Sequence, residues 1–111
     1  MKYKVKITAS FEKEFKRIAK KHTGIKSDLS KLIDELEVKP TTGADIGQGI
    51  YKIRLAISGT NKGKSGGARV ITFVVFLNET VYLAGIYLKN EHDTVDSNLI
   101  IQRLKDEGLI E

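Results

Sequence analysis

The chain of 111 residues has no cysteine and no tryptophan, and it has one proline. Without cysteine it can form no disulfide, bind no metal through thiolates and use no cysteine nucleophile. No apolar run approaches the ~18 residues of a membrane-spanning helix, and the N-terminus lacks the apolar block of a signal peptide. We therefore expect a cytoplasmic protein with no membrane association, formed by a single domain over residues 1–111.

Acidic residues are missing from one basic segment. Residues 50–69 carry five Lys or Arg and no acid, whereas residues 27–49 and 70–111 are net acidic. Residues 1–26 are basic, and the whole chain has a net charge of +5 with a pI near 9.4. This balance favours an anionic partner such as RNA, DNA or an acidic protein segment. The charge alone does not choose among them.

The N-terminal part predicts a strand followed by two helices. Tyr3, Val5 and Ile7 alternate with lysines, as in a half-buried strand with a lysine edge. Such lysines commonly protect an edge strand against aggregation. The first amphipathic helix begins near Ser10, a candidate N-cap, and the second stops at Pro40.

The C-terminal part predicts three strands and a helix. The strands are IYKIRLAI, ARVITFVVFL and TVYLAGIYLKN, with a basic glycine loop between the first two and a tight turn at Asn78 and Glu79. The segment TTGADIGQG before them is expected to be a turn-rich connector. Asp96 or Ser97 can cap the final helix. The predicted fold class is α+β, a small antiparallel sheet with helices packed on it, in the order β-α-α-β-β-β-α.

Basic residues occupy defined positions on the predicted strands. Lys52 and Arg54 share one face of the first strand, whose other face is apolar. Arg69 begins the second strand beside the basic loop. In the third strand, alternation places Tyr87 on the face of Leu83.

Several familiar motifs are excluded. Gly63, Lys64 and Ser65 resemble the end of a phosphate-binding P-loop, but only three residues separate Gly59 from Gly63, and a strand follows instead of a helix. The two histidines are far apart, with no HExxH, so no metal site or other cofactor is expected. There is no GxSxG nucleophile motif.

The remaining candidates are Arg, Lys and Tyr side chains together with Glu91 and His92. Such a set can cleave RNA without a metal, because the ribose 2′-hydroxyl supplies the nucleophile. The protein then has to orient the backbone, stabilise charge on the phosphate and move two protons. The residues themselves favour RNA binding more strongly than cleavage.

Three blocks, GQGIYKIRLA, KGKSGGARVI and IYLKNEHD, resemble the RelE/HigB-like toxins of bacterial type II toxin–antitoxin modules, and the HigB branch in particular. The resemblance implies an mRNA endonuclease that acts on translating ribosomes, without a metal, and inhibits translation. It also implies neutralisation by a small antitoxin, often a helix-turn-helix protein. Operator DNA would be contacted only indirectly, through the antitoxin complex.

The resemblance also assigns roles to residues that match the family blocks. The implied catalytic residues are Arg54, Lys64, Arg69, Tyr87, Lys89 and Glu91. The residues expected to bind RNA are Lys52, Lys62 and His92. One departure is Thr72, where relatives commonly have an aromatic residue. Two alternatives stay open: a DNA gyrase poison of the same fold, and a non-enzymatic RNA-binding or adaptor protein.

Overall fold

The computed structural model describes residues 2–59, 67–91 and 94–110, which form three helices and one five-stranded sheet. The elements in chain order are β1 (Lys4–Ile7), α1 (Ala9–Lys21), α2 (Ile25–Val38), β2 (Ala44–Asp45), β3 (Ile50–Leu55), β4 (Ala68–Val75), β5 (Thr80–Leu88) and α3 (Ser97–Asp106). The predicted α+β class and order are confirmed. The one addition is β2, a two-residue strand within the expected turn-rich connector. None of the three helices is long and apolar enough to cross a membrane.

The strand order in the sheet is β1-β5-β4-β3-β2. Neighbouring strands are antiparallel from β5 to β2, as predicted, whereas β1 lies parallel to β5. A parallel pair requires a long crossover, and here the chain between β1 and β5 contains two helices and the other three strands. β4 lies at the centre of the sheet.

Helices cover both faces of this sheet. α1 and α2 pack on one face, where Phe11 and Leu36 join Val70 in the larger core. α3 packs on the other face, where Ile100 and Leu104 form a smaller core together with buried sheet residues. The middle strand is therefore buried on both sides, which explains why both of its alternating sets are apolar.

A β-bulge in β5 overturns one prediction. The register between β4 and β5 shifts at Ile71 and Thr72, and Ala84 is left as an extra residue in β5. The bulge reverses the alternation, so Leu83 lies in the core with α1 and α2 but Tyr87 lies in the core with α3. The prediction that Tyr87 shares the face of Leu83 was therefore wrong.

The start of α1 also differs from the prediction. Thr8 is the N-cap, and its side-chain oxygen accepts a hydrogen bond from the backbone N–H of Phe11 at 3.1 Å. Ser10 lies inside the helix and donates to a carboxylate oxygen of Glu107 at 2.7 Å. Thr8 takes the cap position because its backbone is still extended as it leaves β1.

Two further boundaries were predicted from local sequence. Asp96 caps α3, as expected, and accepts from the backbone N–H of Asn98 at 2.9 Å. The turn between β4 and β5 spans residues 76–79, because Val75 still pairs with Thr80. It is therefore longer than the predicted two-residue turn.

The ends of β3, β4 and β5 meet at Gly67. A Cβ atom on Gly67 would lie 2.3 Å from the carbonyl oxygen of Leu55. The carbonyl oxygen of Gly67 accepts a hydrogen bond from the backbone N–H of Lys89 at 3.0 Å. Glycine is required here because the neighbouring backbone leaves no room for a side chain.

Gly67→Ala is expected to lower the free energy of unfolding by roughly 1–3 kcal/mol, the usual cost of overpacking a rigid site. Gly85→Ala is the matched control, since its Cβ would be in ordinary contact with Ile71 at 3.7 Å. Chemical denaturation of both variants measures the difference. Equal stabilities would show that the β3 end moves away from Gly67 without cost.

Candidate functional site

Three of the predicted site residues form a row across the sheet. Arg54 on β3 pairs in register with Arg69 on β4, and Arg69 pairs with Tyr87 on β5. Strands are about 4.8 Å apart, so the row spans roughly 10 Å. The β-bulge completes this row, because it turns Tyr87 onto the face that carries the two arginines.

The members of the row differ in exposure. The Arg54 side chain is exposed and makes no ion pair with any residue that the structure describes. Arg69 is 1% exposed and Tyr87 is 6% exposed, so both lie beneath the surface. The Arg69 guanidinium donates from Nη1 to the carbonyl oxygen of Ala68 at 3.2 Å. Arg54 is therefore the arginine of the row that is open to solvent, and Arg69 lies buried beside it on the neighbouring strand.

Lys52 extends the basic face along β3, two residues before Arg54. It lines a groove of about 540 Å³ together with Arg54 and Lys31. The groove runs between β3 and α2, and Asp28 and Glu35 contribute acidic groups on the helix side. The lining of the groove therefore carries three basic and two acidic side chains.

The residues that follow β5 bring two more predicted groups to this end of the sheet. Lys89 is exposed, and its backbone is fixed to Gly67 at the start of β4. Glu91 forms an ion pair with Arg17 of α1 at 2.9 Å. Hydrogen bonds to Glu91, and then to Glu14, raise the pKa of Arg17 above its ordinary value.

Sequence reasoning did not identify Arg17. Its contact with Glu91 spans 74 residues of sequence. The single local signal was the acid at Glu14, three residues before it, which is a common helical spacing.

A cavity of about 430 Å³ adjoins the row. It lies between α1, the end of β5 and the start of α3, and its lining includes Tyr87, Arg17 and Glu91. Ile71 and Ile100 are among its apolar residues, and its charged residues are Glu14, Arg17, Glu91, Asp96 and Arg103.

Lys62, Lys64 and His92 lie outside the described residues. The segment with these two lysines follows Ser58, which lies just after β3 and is hydrogen-bonded to α2. The Asp28 carboxylate accepts from the backbone N–H of Ser58 at 2.7 Å and from its hydroxyl. This contact fixes where the basic connection begins.

Thr72 does not belong to the row. It is fully buried, and alternation along β4 places it on the face opposite Arg69. Its hydroxyl oxygen has no hydrogen-bond partner within the described residues. A tyrosine at this position would therefore lie in the core with α1 and α2.

Within the described residues there is also no cluster of three His, Cys, Asp or Glu arranged to bind a metal.

The structure is that of a small α+β protein with Arg54, Arg69 and Tyr87 in a row across its sheet. The chain belongs to the RelE toxin family of the RelE/RelB toxin–antitoxin system, whose family model matches residues 9–105. It is therefore the toxin of a toxin–antitoxin system, in a family of endoribonucleases that inhibit translation, and its partner is an antitoxin. This confirms the predicted RelE-like membership, and the HigB branch stays a prediction.

A solved structure has the same fold. The free state of an E. coli RelE double mutant, with two arginines replaced by alanine, superimposes with a TM-score of 0.61 at 15% identity. The match covers 96% of this chain and 97% of that one. No curated protein matches the sequence significantly.

Proposed function

We propose that this toxin cleaves mRNA on the translating ribosome, without a metal ion, by attack of a ribose 2′-hydroxyl on the adjacent phosphate. The observation that carries the proposal is the row of Arg54, Arg69 and Tyr87 across three neighbouring strands. Lys52 and Lys89 add positive charge at its margins. A phosphate backbone laid along this face would meet cations at successive positions.

The proposed reaction needs no nucleophile from the protein. The 2′-oxygen forms a bond to phosphorus while the bond from phosphorus to the 5′-oxygen of the next nucleotide breaks. One proton leaves the 2′-hydroxyl and one is delivered to the 5′-oxygen, so the products are a 2′,3′-cyclic phosphate and a 5′-hydroxyl end. Arg54 and Arg69 would stabilise the charge that develops on the non-bridging oxygens.

Proton transfer requires other groups. Guanidinium stays protonated, so neither arginine of the row serves readily as a base. The candidates are Glu91, His92 and a lysine of the site. Tyr87 is 6% exposed and lines the cavity beside the row, so its proposed role is to donate its hydroxyl there and not to stack on a base.

The test is inducible expression of the toxin with mapping of mRNA 5′ ends. Growth arrest with new 5′-hydroxyl ends inside coding regions is expected, and their dependence on translation tests the ribosome requirement. Intact mRNA would reject the proposal. Double-strand DNA breaks with intact mRNA would identify a gyrase poison, and RNA binding without cleavage would identify an adaptor.

For the antitoxin we propose a small helix-turn-helix protein that binds mainly outside the basic row and carries the complex to operator DNA. A free lysine edge supports this placement: β1 is an edge strand of the sheet, and Lys2, Lys4 and Lys6 are exposed along it. A structure of the complex tests it. An antitoxin that fills the face of Arg54 and Arg69 would contradict this placement.

A further inference from the structure

A cluster of three charged side chains joins α1 to the turn that follows β5. Arg17 donates to Glu91 twice, from Nη1 to Oε2 at 3.1 Å and from Nη2 to Oε1 at 2.9 Å. Glu14 accepts from Nε and Nη2 of the same guanidinium at 3.2 and 3.1 Å. These four hydrogen bonds fix the plane of the guanidinium, in a forked geometry that arginine provides and lysine does not.

Among the described strands, only β4 pairs with β5 next to the turn that this cluster reaches. β4 pairs with β5 along its length, but β1 pairs with β5 only from Thr80 to Leu83. Beyond Leu83, no described strand lies beside β5 on the β1 side. On the β4 side, the backbone N–H of Lys89 donates to Gly67 at 3.0 Å. The contact between Arg17 and Glu91 ties the turn to α1 on the side where no described strand pairs with it.

We infer that Arg17 and Glu91 act together as positioning residues, which hold the turn that carries Lys89 beside the row of Arg54, Arg69 and Tyr87. The inference rests on the proposed ribonuclease function and assigns Glu91 a role other than proton transfer. Both oxygens of the Glu91 carboxylate accept hydrogen bonds from Arg17. Both carboxylate oxygens are therefore directed at Arg17 of α1.

The stability of the whole protein does not require this contact. The side chains of Arg17 and Glu91 are 47% and 39% exposed, and exposed ion pairs contribute little to folding. Substitutions at either position should therefore leave the protein folded. A change in cleavage then reports the local position of the turn.

The experiment is a charge reversal, measured as mRNA cleavage by the purified toxin on programmed ribosomes. Arg17→Glu and Glu91→Arg should each lower kcat roughly 10- to 100-fold, the cost of displacing a reacting group by about 1 Å, with little change in KM. The double variant should recover most of the activity, because the ion pair is restored with its ends exchanged. Glu91→Gln keeps one hydrogen-bond acceptor, so it should lose less activity than Glu91→Arg and keep the pH dependence of kcat.

Lys13→Glu is the control, since it reverses an exposed charge on α1 that forms no ion pair with the described residues. Two results would assign proton transfer to Glu91 and overturn the inference. One is a double variant as inactive as Glu91→Arg. The other is a Glu91→Gln variant slowed by about 10²–10⁴ with an altered pH profile. Arg17 variants that raise KM alone would also overturn it, by placing Arg17 on the RNA. An inactive wild-type protein would reject the proposed function itself, whereas an active wild type with an unrescued double variant rejects only the inference.

Discussion

Arg54→Ala is expected to lower the rate of mRNA cleavage by roughly 10²–10³, the scale of removing one preorganised group that stabilises developing charge. Arg54 is exposed, is unpaired within the described residues and lies at the open end of the row. Its loss should therefore leave the free energy of unfolding nearly unchanged. Single-turnover cleavage and chemical denaturation of the same variant measure the two effects separately.

Two other variants sharpen this test. Arg54→Lys keeps the charge but loses the forked contact with phosphate, so it should retain an intermediate rate. Lys52→Ala removes a cation two residues away, and it should mainly weaken RNA binding and its salt dependence, by about one phosphate contact. If Arg54→Ala remains toxic with an unchanged rate, the reacting phosphate does not bind at this row.

Much of the fold could be predicted from the sequence because apolar residues recur regularly, at every second position in β3 and at every third or fourth position in the helices. In β3 the charged side chains of Lys52 and Arg54 fall on one face, while Ile53 packs in the larger core. Such a strand has one register that buries its apolar set, so the pattern determines the face. The same reasoning gave the order of elements and the cap at Asp96.

The prediction failed where a single residue changes the pattern. Nothing in TVYLAGIYL marks Ala84 as the extra residue of a bulge, since both faces of β5 are apolar and either assignment buries similar side chains. The bulge is set by pairing with β4, a tertiary contact. Strict alternation consequently placed Tyr87 on the wrong face, although its grouping with the arginines was part of the predicted site.

The burial of Arg69 and the pairing of Arg17 with Glu91 could not be predicted from the sequence either. The apolar run after Arg69 indicates a central strand, but nothing in the sequence indicates that Arg69 itself is 1% exposed. Arg17 meets Glu91 only because α1 packs against β5. Both features depend on how elements far apart in sequence come together, and no local pattern records that.

Arg69→Ala is the second substitution with a large expected effect, because Arg69 is buried. Arg69→Ala should lower cleavage by roughly 10²–10³ through loss of a fixed positive charge below the phosphate. It should also lower the free energy of unfolding by roughly 2–5 kcal/mol, because a large side chain that is 1% exposed leaves a cavity. A loss of activity in this variant alone would therefore not separate chemistry from folding.

Arg69→Met separates them. Methionine is unbranched and adapts to irregular space, so it fills much of the volume of the arginine side chain and should destabilise the protein less than alanine does. It carries no charge, so cleavage should fall as far as in Arg69→Ala. Denaturation midpoints and single-turnover rates for the two variants give the comparison. A Met variant that is folded and fully active would show that Arg69 supports the sheet and not the phosphate, which would leave Arg54 as the single arginine of the row that acts on the RNA.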